Sequence, residues 1–269
     1  VPLRYVQVDA FTDRPFHGNP AAVFVLDAAL DEAVMQKVAA ELNQSESAFL
    51  HRKPDGAFAL RWFTPTSEIE LCGHATLASA HVLFEQGLLG PHEAARFDTL
   101  SGRLTCTRPA GGGLIEMDFP ALRVGADAPP EGVAAALGVE RPLFVGLAGG
   151  KVLVELGDSA RLEALEPDMG RLRQLGKLGF VVTCVAPAGS PSDVLSRAFF
   201  PGYGIDEDPV TGAAHCLLAT YWGQKLGRSE LVGYQASRRG GIVRMRLVDD
   251  RCFLGGSAVT VLHGEILTA

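Results

Sequence analysis

The sequence predicts an α+β fold of two similar domains, each a sheet or barrel wrapped around one central buried helix. Three observations carry this. Short apolar runs rich in β-branched and aromatic residues, punctuated by Gly and Pro, dominate the chain. Two helical segments, Gly73–Gln86 and Gly212–Lys225, are apolar nearly all round, so each must be covered on most sides. Between them the Pro- and Gly-rich stretch Phe119–Glu131 divides the chain into parts of similar length, each holding one such helix.

Taken in order, Leu3–Val8 alternates apolar and polar residues and reads as a strand. Asp31–Leu42 is an amphipathic helix, with Val34, Met35, Val38, Ala39 and Leu42 on one face. Ala57–Phe63, Val152–Leu156, Phe180–Ala186 and Ile242–Val248 have the length and composition of further strands. Gly87 and Gly227 follow the two apolar helices as left-handed stops. Asp249-Asp250 and the Gly111-Gly112-Gly113 run are expected to be hairpin turns. The boundaries follow: a first domain over 1–120 and a second over 126–257, facing each other across a cleft.

Composition narrows the function classes. The chain has 269 residues, 47% hydrophobic and 20% charged, enough for a sizeable core. Lys and Arg number 24 against 31 Asp and Glu, a net charge of −7 with no basic run, which argues against nucleic acid as a partner. No apolar stretch reaches the ~18 residues of a membrane span. The N-terminal alternation is unlike a signal sequence. The five cysteines are widely spaced, odd in number and without a CxxC pair, as expected of reduced thiols in a cytoplasmic protein. P-loop, GxGxxG, HExxH and GxSxG patterns are absent, so nucleotide, zinc-protease and serine-hydrolase readings lack support.

The two buried helices begin alike. One follows Glu68-Ile-Glu-Leu-Cys-Gly-His-Ala-Thr, the other Gly204-Ile-Asp-Glu-Asp-Pro-Val-Thr-Gly-Ala-Ala-His. Small residues in a first turn leave backbone N–H groups open to a ligand, and the helix dipole favours negative charge there. Two such ends on one cleft would hold a small carboxylic acid. Glycine and alanine also serve close helix packing, and the sequence leaves both readings standing. Beside these ends lie His74, Asp208 and, in Asn43-Gln-Ser-Glu-Ser-Ala-Phe-Leu, Glu46. A carboxylate near the interior has its pKa raised and suits proton transfer. Taken singly, Asp208 also reads as an acid ahead of a helix, Glu46 as a loop acid and His74 as a satisfied histidine. Cys72 precedes a helix N-terminus, a position that depresses a thiol pKa. The other four cysteines read as core residues, and Asn19 as part of a Gly-Asn-Pro turn.

Four segments together resemble the PhzF family of phenazine-biosynthesis-like isomerases: Asp9-Ala-Phe-Thr-Asp-Arg-Pro-Phe-His-Gly-Asn-Pro-Ala-Ala-Val, Gln44-Ser-Glu-Ser-Ala-Phe, Phe63-Thr-Pro-Thr-Ser-Glu-Ile-Glu-Leu-Cys-Gly-His-Ala-Thr and Asp206-Glu-Asp-Pro-Val-Thr-Gly-Ala-Ala-His. They occur in the family's order and spacing. The resemblance implies the diaminopimelate-epimerase fold, two similar domains each with a curved antiparallel sheet or barrel around a central helix, in which a last strand, here within 258–269, can return to the first domain. It implies a homodimer that uses neither metal nor organic cofactor and acts on a small carboxylic acid, moving a proton or hydrogen between carbons. Glu46 matches the family's acid/base glutamate, and His74 and Asp208 its other polar site residues. Gly73, Gly212 and Ala213 match positions around the substrate carboxylate. Many members have serine where this chain has Ala213, a hydroxyl fewer in the site. Racemases of this fold use two cysteines, one before each buried helix; Cys72 stands at the first place and Pro209 at the second, which disfavours a two-thiol mechanism. A racemase or epimerase using Cys72, and a non-catalytic binding protein on the same fold, are the alternatives.

Overall fold

The computed structural model describes residues 2–90, 92–109 and 113–267. The chain forms two compact units, one of Val1–Phe119 with Gly255–Ala269, the other of Pro120–Leu254.

In the first unit the strands are β1 (Leu3–Ala10), β2 (Asn19–Leu26), β3 (Glu46–Arg52), β4 (Phe58–Phe63), β5 (Glu68–Ile69), β6 (Ala95–Thr99), β7 (Gly102–Thr107) and β8 (Ile115–Pro120). Helix α1 (Glu32–Leu42) lies between β2 and β3, and α2 (Gly73–Glu85) between β5 and β6. β1 pairs antiparallel with β2, and β2 parallel with β3. β4 pairs antiparallel with β3 and with the short β5, and parallel with β6. β7 continues antiparallel on β6 and carries β8. On the far side of β1 lies the last strand of the chain, Ala258–Ile266, antiparallel, with a bulge at Gln7/Val8.

The two faces of this sheet are covered by different helices. Tyr5, Phe24, Phe49 and Phe63, one from each of β1 to β4, form a row with ring centroids 5.3, 4.7 and 5.7 Å apart. Met35, Val38 and Ala39 of α1 pack onto that row. α1 starts where expected: Asp31 accepts from the N–H of Ala33 (2.9 Å) and Val34 (3.3 Å), and Asn43 closes it in the left-handed region. The alternate residues Ala21 and Val23 are fully buried and belong to the face where α2 lies. α2 has no polar face: Leu77, Val82, Leu83 and Phe84 are all buried, and at about 1.5–3 kcal/mol each they stabilise it far more than its propensities do. It ends as expected, with Gly87 at φ +66 and the Leu88 N–H returning to Leu83 O at 3.0 Å.

The second unit repeats the plan. Its elements are α3 (Val133–Ala136), β9 (Phe144–Ala148), β10 (Lys151–Glu155), α4 (Ser159–Glu163), α5 (Met169–Gln174), β11 (Gly179–Val185), β12 (Val194–Phe200), β13 (Ile205–Asp208), α6 (Gly212–Leu226), β14 (Glu230–Gln235), β15 (Gly241–Val248) and β16 (Arg251–Gly256), whose last two residues already count with the first unit, as does β17, the Ala258–Ile266 strand already met. β9 and β10 are antiparallel, β10 and β11 parallel, β11 and β12 antiparallel. β12 pairs antiparallel with short β13 and parallel with β14, which pairs antiparallel with β15. Strand for strand this is the sequence of pairings from β1 to β7. In both halves a short strand leads into the buried helix. The duplication expected from two apolar helices therefore extends to the connectivity, and each sheet is mixed, with two parallel pairings among the antiparallel ones.

Helix α6 takes the place of α2. Trp222 is fully buried and donates its indole N–H to Thr183 Oγ1 at 3.0 Å. The buried carboxylate of Glu155 on β10 receives Lys225 Nζ at 2.5 Å and the Tyr221 hydroxyl. The opposite face of the sheet is covered by α3, α4 and α5, whose Ala136, Leu162 and Leu172 pack on Val152, Phe180 and Phe199. These three short helices were not among the sequence expectations. Asp249, at φ +53, and Asp250 form the expected two-residue connection between β15 and β16. Gly111 and Gly112 of the other expected turn lie outside the described residues. No helix among the described residues is long and apolar enough to cross a membrane.

Candidate functional site

In the first unit three chain elements begin at one place. Asn19 opens β2, Glu46 opens β3, and His74 stands in the first turn of α2. The parallel register that sets Ala21 against Glu46 aligns the starts of β2 and β3, and α2 packs across both. Cys72, the residue before α2, is extended (φ −140, ψ 114) and provides no side-chain cap. Glu46, Cys72 and His74 are only 7%, 6% and 4% exposed, and Asn19 is fully buried.

The His74 ring organises the cluster. Its Nε2 lies 3.1 Å from Glu46 Oε2. Its Nδ1 lies 3.1 Å from Asn19 Nδ2 and 3.5 Å from Cys72 Sγ. Ser45 Oγ reaches Asn19 Oδ1 at 3.4 Å. The Asn19 amide can serve either protonation state of the ring: its NH₂ donates to a neutral imidazole, and its oxygen, once turned, accepts from a charged one. The Glu46–His74 approach is close enough for an ion pair yet out of line for a hydrogen bond, and neither Glu46 Oε2 nor His74 Nε2 has another hydrogen-bond partner among the described residues. Two buried polar atoms are thus held against each other and left unsatisfied, a costly arrangement in a core.

Burial is the largest influence on His74 and opposes its charge. The Cys72 sulfur and the Glu46 carboxylate, acting through charge and contact, outweigh it and hold the imidazole pKa well above the ordinary histidine value. Cys72 goes the other way from the expectation. Burial pushes its thiol up; the charge of His74 pulls it back and Glu46 adds to the rise, with smaller downward pulls from the His74 contact and the Ala75 N–H, and the net shift is upward. A helix N-terminus lowers a thiol pKa only while the thiolate stays solvated, and here desolvation wins. All five cysteines are buried and free of disulfides.

No side chain caps α2, whose first internal bond runs from Thr76 N–H to Cys72 O (3.2 Å), so Gly73 and His74 offer backbone donors with no partner in the helix.

Asp208, Gly212 and Ala213 belong to the second unit, where they surround the start of α6. Thr211 is the residue before that helix, extended and again without a side-chain cap. Its hydroxyl donates to Asp208 Oδ2 at 2.5 Å. Gln235 clamps the turn, donating from Nε2 to Asp208 O (2.6 Å) and accepting the Thr211 N–H (2.9 Å). Below it, His215 donates from Nδ1 to Thr211 O at 2.8 Å, and its Nε2 has no partner. Burial pushes the His215 pKa down to about 4 despite that carbonyl, so the ring is a neutral packing element. Pro209 offers only its carbonyl, to Ser237 Oγ at 2.8 Å.

The structure therefore gathers Glu46, His74 and Cys72 into one cluster and places Asp208, Gly212 and Ala213 together in the other unit. It adds two residues that the sequence reading missed. Asn19, read as a turn, is a buried partner of His74, and its Gly-Asn-Pro setting gave only the turn signal. Gln235 ends a strand, and nothing in its neighbours marks it. Among the described residues, Glu46, Cys72 and His74 are also the group able to hold a cation, each offering a ligand atom within 4.8 Å of the others.

Comparisons with known proteins place the family and the fold. The model of the phenazine biosynthesis-like PhzC-PhzF family matches residues 8–264. An uncharacterized isomerase of Halalkalibacterium halodurans is 46% identical, over 97% of both chains. The crystal structure of a PhzF-family phenazine biosynthesis protein of Enterococcus faecalis superposes with a TM-score of 0.91 at 39% identity, covering 100% of both chains. A hydroxyproline epimerase of Agrobacterium vitis, with trans-4-hydroxy-L-proline bound, superposes at 0.65 with 12% identity over 98% of this chain and 92% of its own, a likeness of fold.

Proposed function

Because the chain belongs to the phenazine biosynthesis-like PhzF family, we propose that it is a cofactor-independent isomerase of a small carboxylic acid and that Glu46 moves a proton between substrate carbons. The observation that carries this reading is the Glu46 Oε2 atom, buried, without a hydrogen-bond partner and held 3.1 Å from His74 Nε2. An acceptor oxygen with no competing donor is available to take a proton from carbon and to return it elsewhere. His74 keeps that oxygen in place. Its link to Asn19 fixes the ring.

Negative charge develops on the substrate when a carbon loses its proton beside a carboxyl group. Backbone donors of Gly73, and in the second unit of Gly212 and Ala213, bind that carboxylate in this reading and stabilise the charge. Asp208, steadied by Thr211 and Gln235, orients the substrate's amino or hydroxyl group. Ala213 lacks a serine hydroxyl but keeps its N–H, so carboxylate binding survives the substitution. The chain is read as a homodimer, which sedimentation velocity tests directly.

The second reading is a racemase or epimerase in which Cys72 is one of the bases. It is favoured by the Cys72 sulfur lying 3.5 Å from His74 Nδ1, and opposed by the upward push that burial gives the thiol.

The test is proton exchange. The protein is incubated in D₂O with a panel of small amino and cyclohexadiene carboxylic acids, beside the Glu46→Gln variant, and carbon-bound deuterium is followed by NMR. Exchange at one carbon that disappears in the variant supports the glutamate isomerase. Exchange that persists in the variant but is lost to thiol alkylation, with protection by substrate, moves the assignment to Cys72. Binding of an acid with no exchange across the panel favours a non-catalytic protein.

A further inference from the structure

We propose that Glu46, Cys72 and His74 form a binding site for a single thiophilic divalent cation, Zn²⁺ in the first instance, and that the bound cation is an inhibitor of the protein. The binding stands on the coordination chemistry of these three residues; the inhibition rests on the acid/base role given to Glu46 above.

The donor set is one carboxylate oxygen, one imidazole nitrogen and one sulfur, a combination that suits zinc and leaves a fourth tetrahedral position for water. Zinc bonds of roughly 2.0–2.3 Å place tetrahedral ligand atoms about 3.3–3.8 Å apart. Glu46 Oε2 lies 3.1 Å from His74 Nε2, the Cys72 sulfur lies 3.5 Å from the other ring nitrogen, and one ligand atom from each residue lies within 4.8 Å of the others. Only one ring nitrogen binds the cation, Nε2 beside Glu46, and a rotation of the Cys72 side chain toward it closes the set. A second observation points the same way: Glu46 Oε2 and His74 Nε2 are buried without hydrogen-bond partners, and a cation between them satisfies both.

Charge supports the exchange of protons for metal. A carboxylate, an imidazolium and a thiol sum to zero. So do a dication, a carboxylate, a neutral imidazole and a thiolate, with two protons released. The core therefore takes up the cation without acquiring net charge, which a buried site tolerates poorly. Magnesium and calcium prefer larger, all-oxygen sets and are not expected to bind. The cation ties up the oxygen that Glu46 needs for proton transfer and opposes its protonation, hence the inhibition.

Cobalt is the probe. The full-length chain, stripped with EDTA, is titrated with Co²⁺ and followed by absorption. The expected result is one equivalent bound, with a near-ultraviolet thiolate-to-cobalt charge-transfer band and tetrahedral visible bands, all erased by Zn²⁺ and unaffected by Mg²⁺. Cys72→Ser loses the charge-transfer band, with Cys72→Ala as the second variant and far-ultraviolet circular dichroism as the folding control. Glu46→Gln keeps the band but binds at least about tenfold more weakly, the lower bound set by what even an outer partner of a ligand contributes. No band, or a band undiminished in folded Cys72→Ser, overturns the proposal. The outcomes separate the two readings. If no band forms yet Glu46→Gln abolishes substrate exchange, the cation site alone fails. If the band forms yet exchange survives in Glu46→Gln, the glutamate assignment alone fails.

Discussion

Replacing Glu46 with glutamine separates what the carboxylate does for chemistry from what it does for the fold. Glutamine has nearly the same shape and there is no Glu46–His74 hydrogen bond to lose, so packing and polar pairing change stability by about 1 kcal/mol. Chemistry changes far more. Loss of a positioned acid/base lowers the rate by about 10²–10⁴, equivalent to roughly 2.7–5.4 kcal/mol of transition-state stabilisation. The third effect is on His74. Burial pushes its pKa down, while Cys72 and Glu46 push it up and prevail. The variant removes one of the two and the pKa falls. A histidine whose folded pKa is raised contributes stability that is fully present below its unfolded value, about 6.5, and is lost as pH rises through the folded one. The wild type should therefore exceed Glu46→Gln in urea stability most at about pH 6, and the gap should close toward alkaline pH. Urea titrations across that range and an NMR titration of His74 measure the two quantities. A gap independent of pH, His74 titrating identically in both proteins, or exchange rates within tenfold of each other would each refute the reasoning.

Other regions make separate predictions. His215 is buried with its pKa pushed down to about 4, so its neutral ring supports the fold above the unfolded value and that support is lost as pH falls toward 4. The loss is on the order of 3 kcal/mol and should appear in urea titrations at neutral against acid pH, and shrink in His215→Asn. Gly18 has φ +64, and a Cβ there would stand 2.1 Å from Ala10 O, so Gly18→Ala should destabilise the protein by about 2–4 kcal/mol in the same assay. Phe49 sits between Phe24 and Phe63 in the aromatic row, and Phe49→Ala should cost about 3–5 kcal/mol, read as a lower urea midpoint. Ala213→Ser adds a hydroxyl while leaving the backbone donors in place, so the Kd of a bound carboxylic acid, measured by NMR, should shift by less than about tenfold.

What the sequence could reveal depended on how local each signal was. An all-apolar helix has only one kind of place to go, so α2 and α6 were legible, as was α1 from its stripe and its Asp31 cap. The short helices were not, because in the four to six residues of α3, α4 and α5 a helical period has no room to repeat. Their caps were there to be seen: Asp158 and Asp168 accept from Arg161 and Arg171 N–H, each at 2.9 Å. The parallel pairings were hidden, since alternation tells which face is buried and not which neighbour lies alongside. Asn19 illustrates the cost. Flanked by Gly18 and Pro20 it looked like a turn, and only the alignment of β2 with β3 and α2 gives it His74 as a partner. Cys72 was misjudged for a related reason. Its place before a helix is a local fact, whereas the burial that dominates its thiol is a property of the folded unit.

The pairing of β1 with β17, from Leu3 against Ile266 to Ala10 against Ala258, constrains the order in which a ribosome can deliver a finished protein. Every strand pair described for the second unit closes within residues 144–248, so none of them waits on the last strand. The first unit is translated earlier but waits longer, because one side of β1 has no partner until residue 266 has been made. The nascent chain would thus carry an open sheet edge through most of its elongation, the kind of surface that holdase chaperones cover and that premature termination would leave permanently exposed.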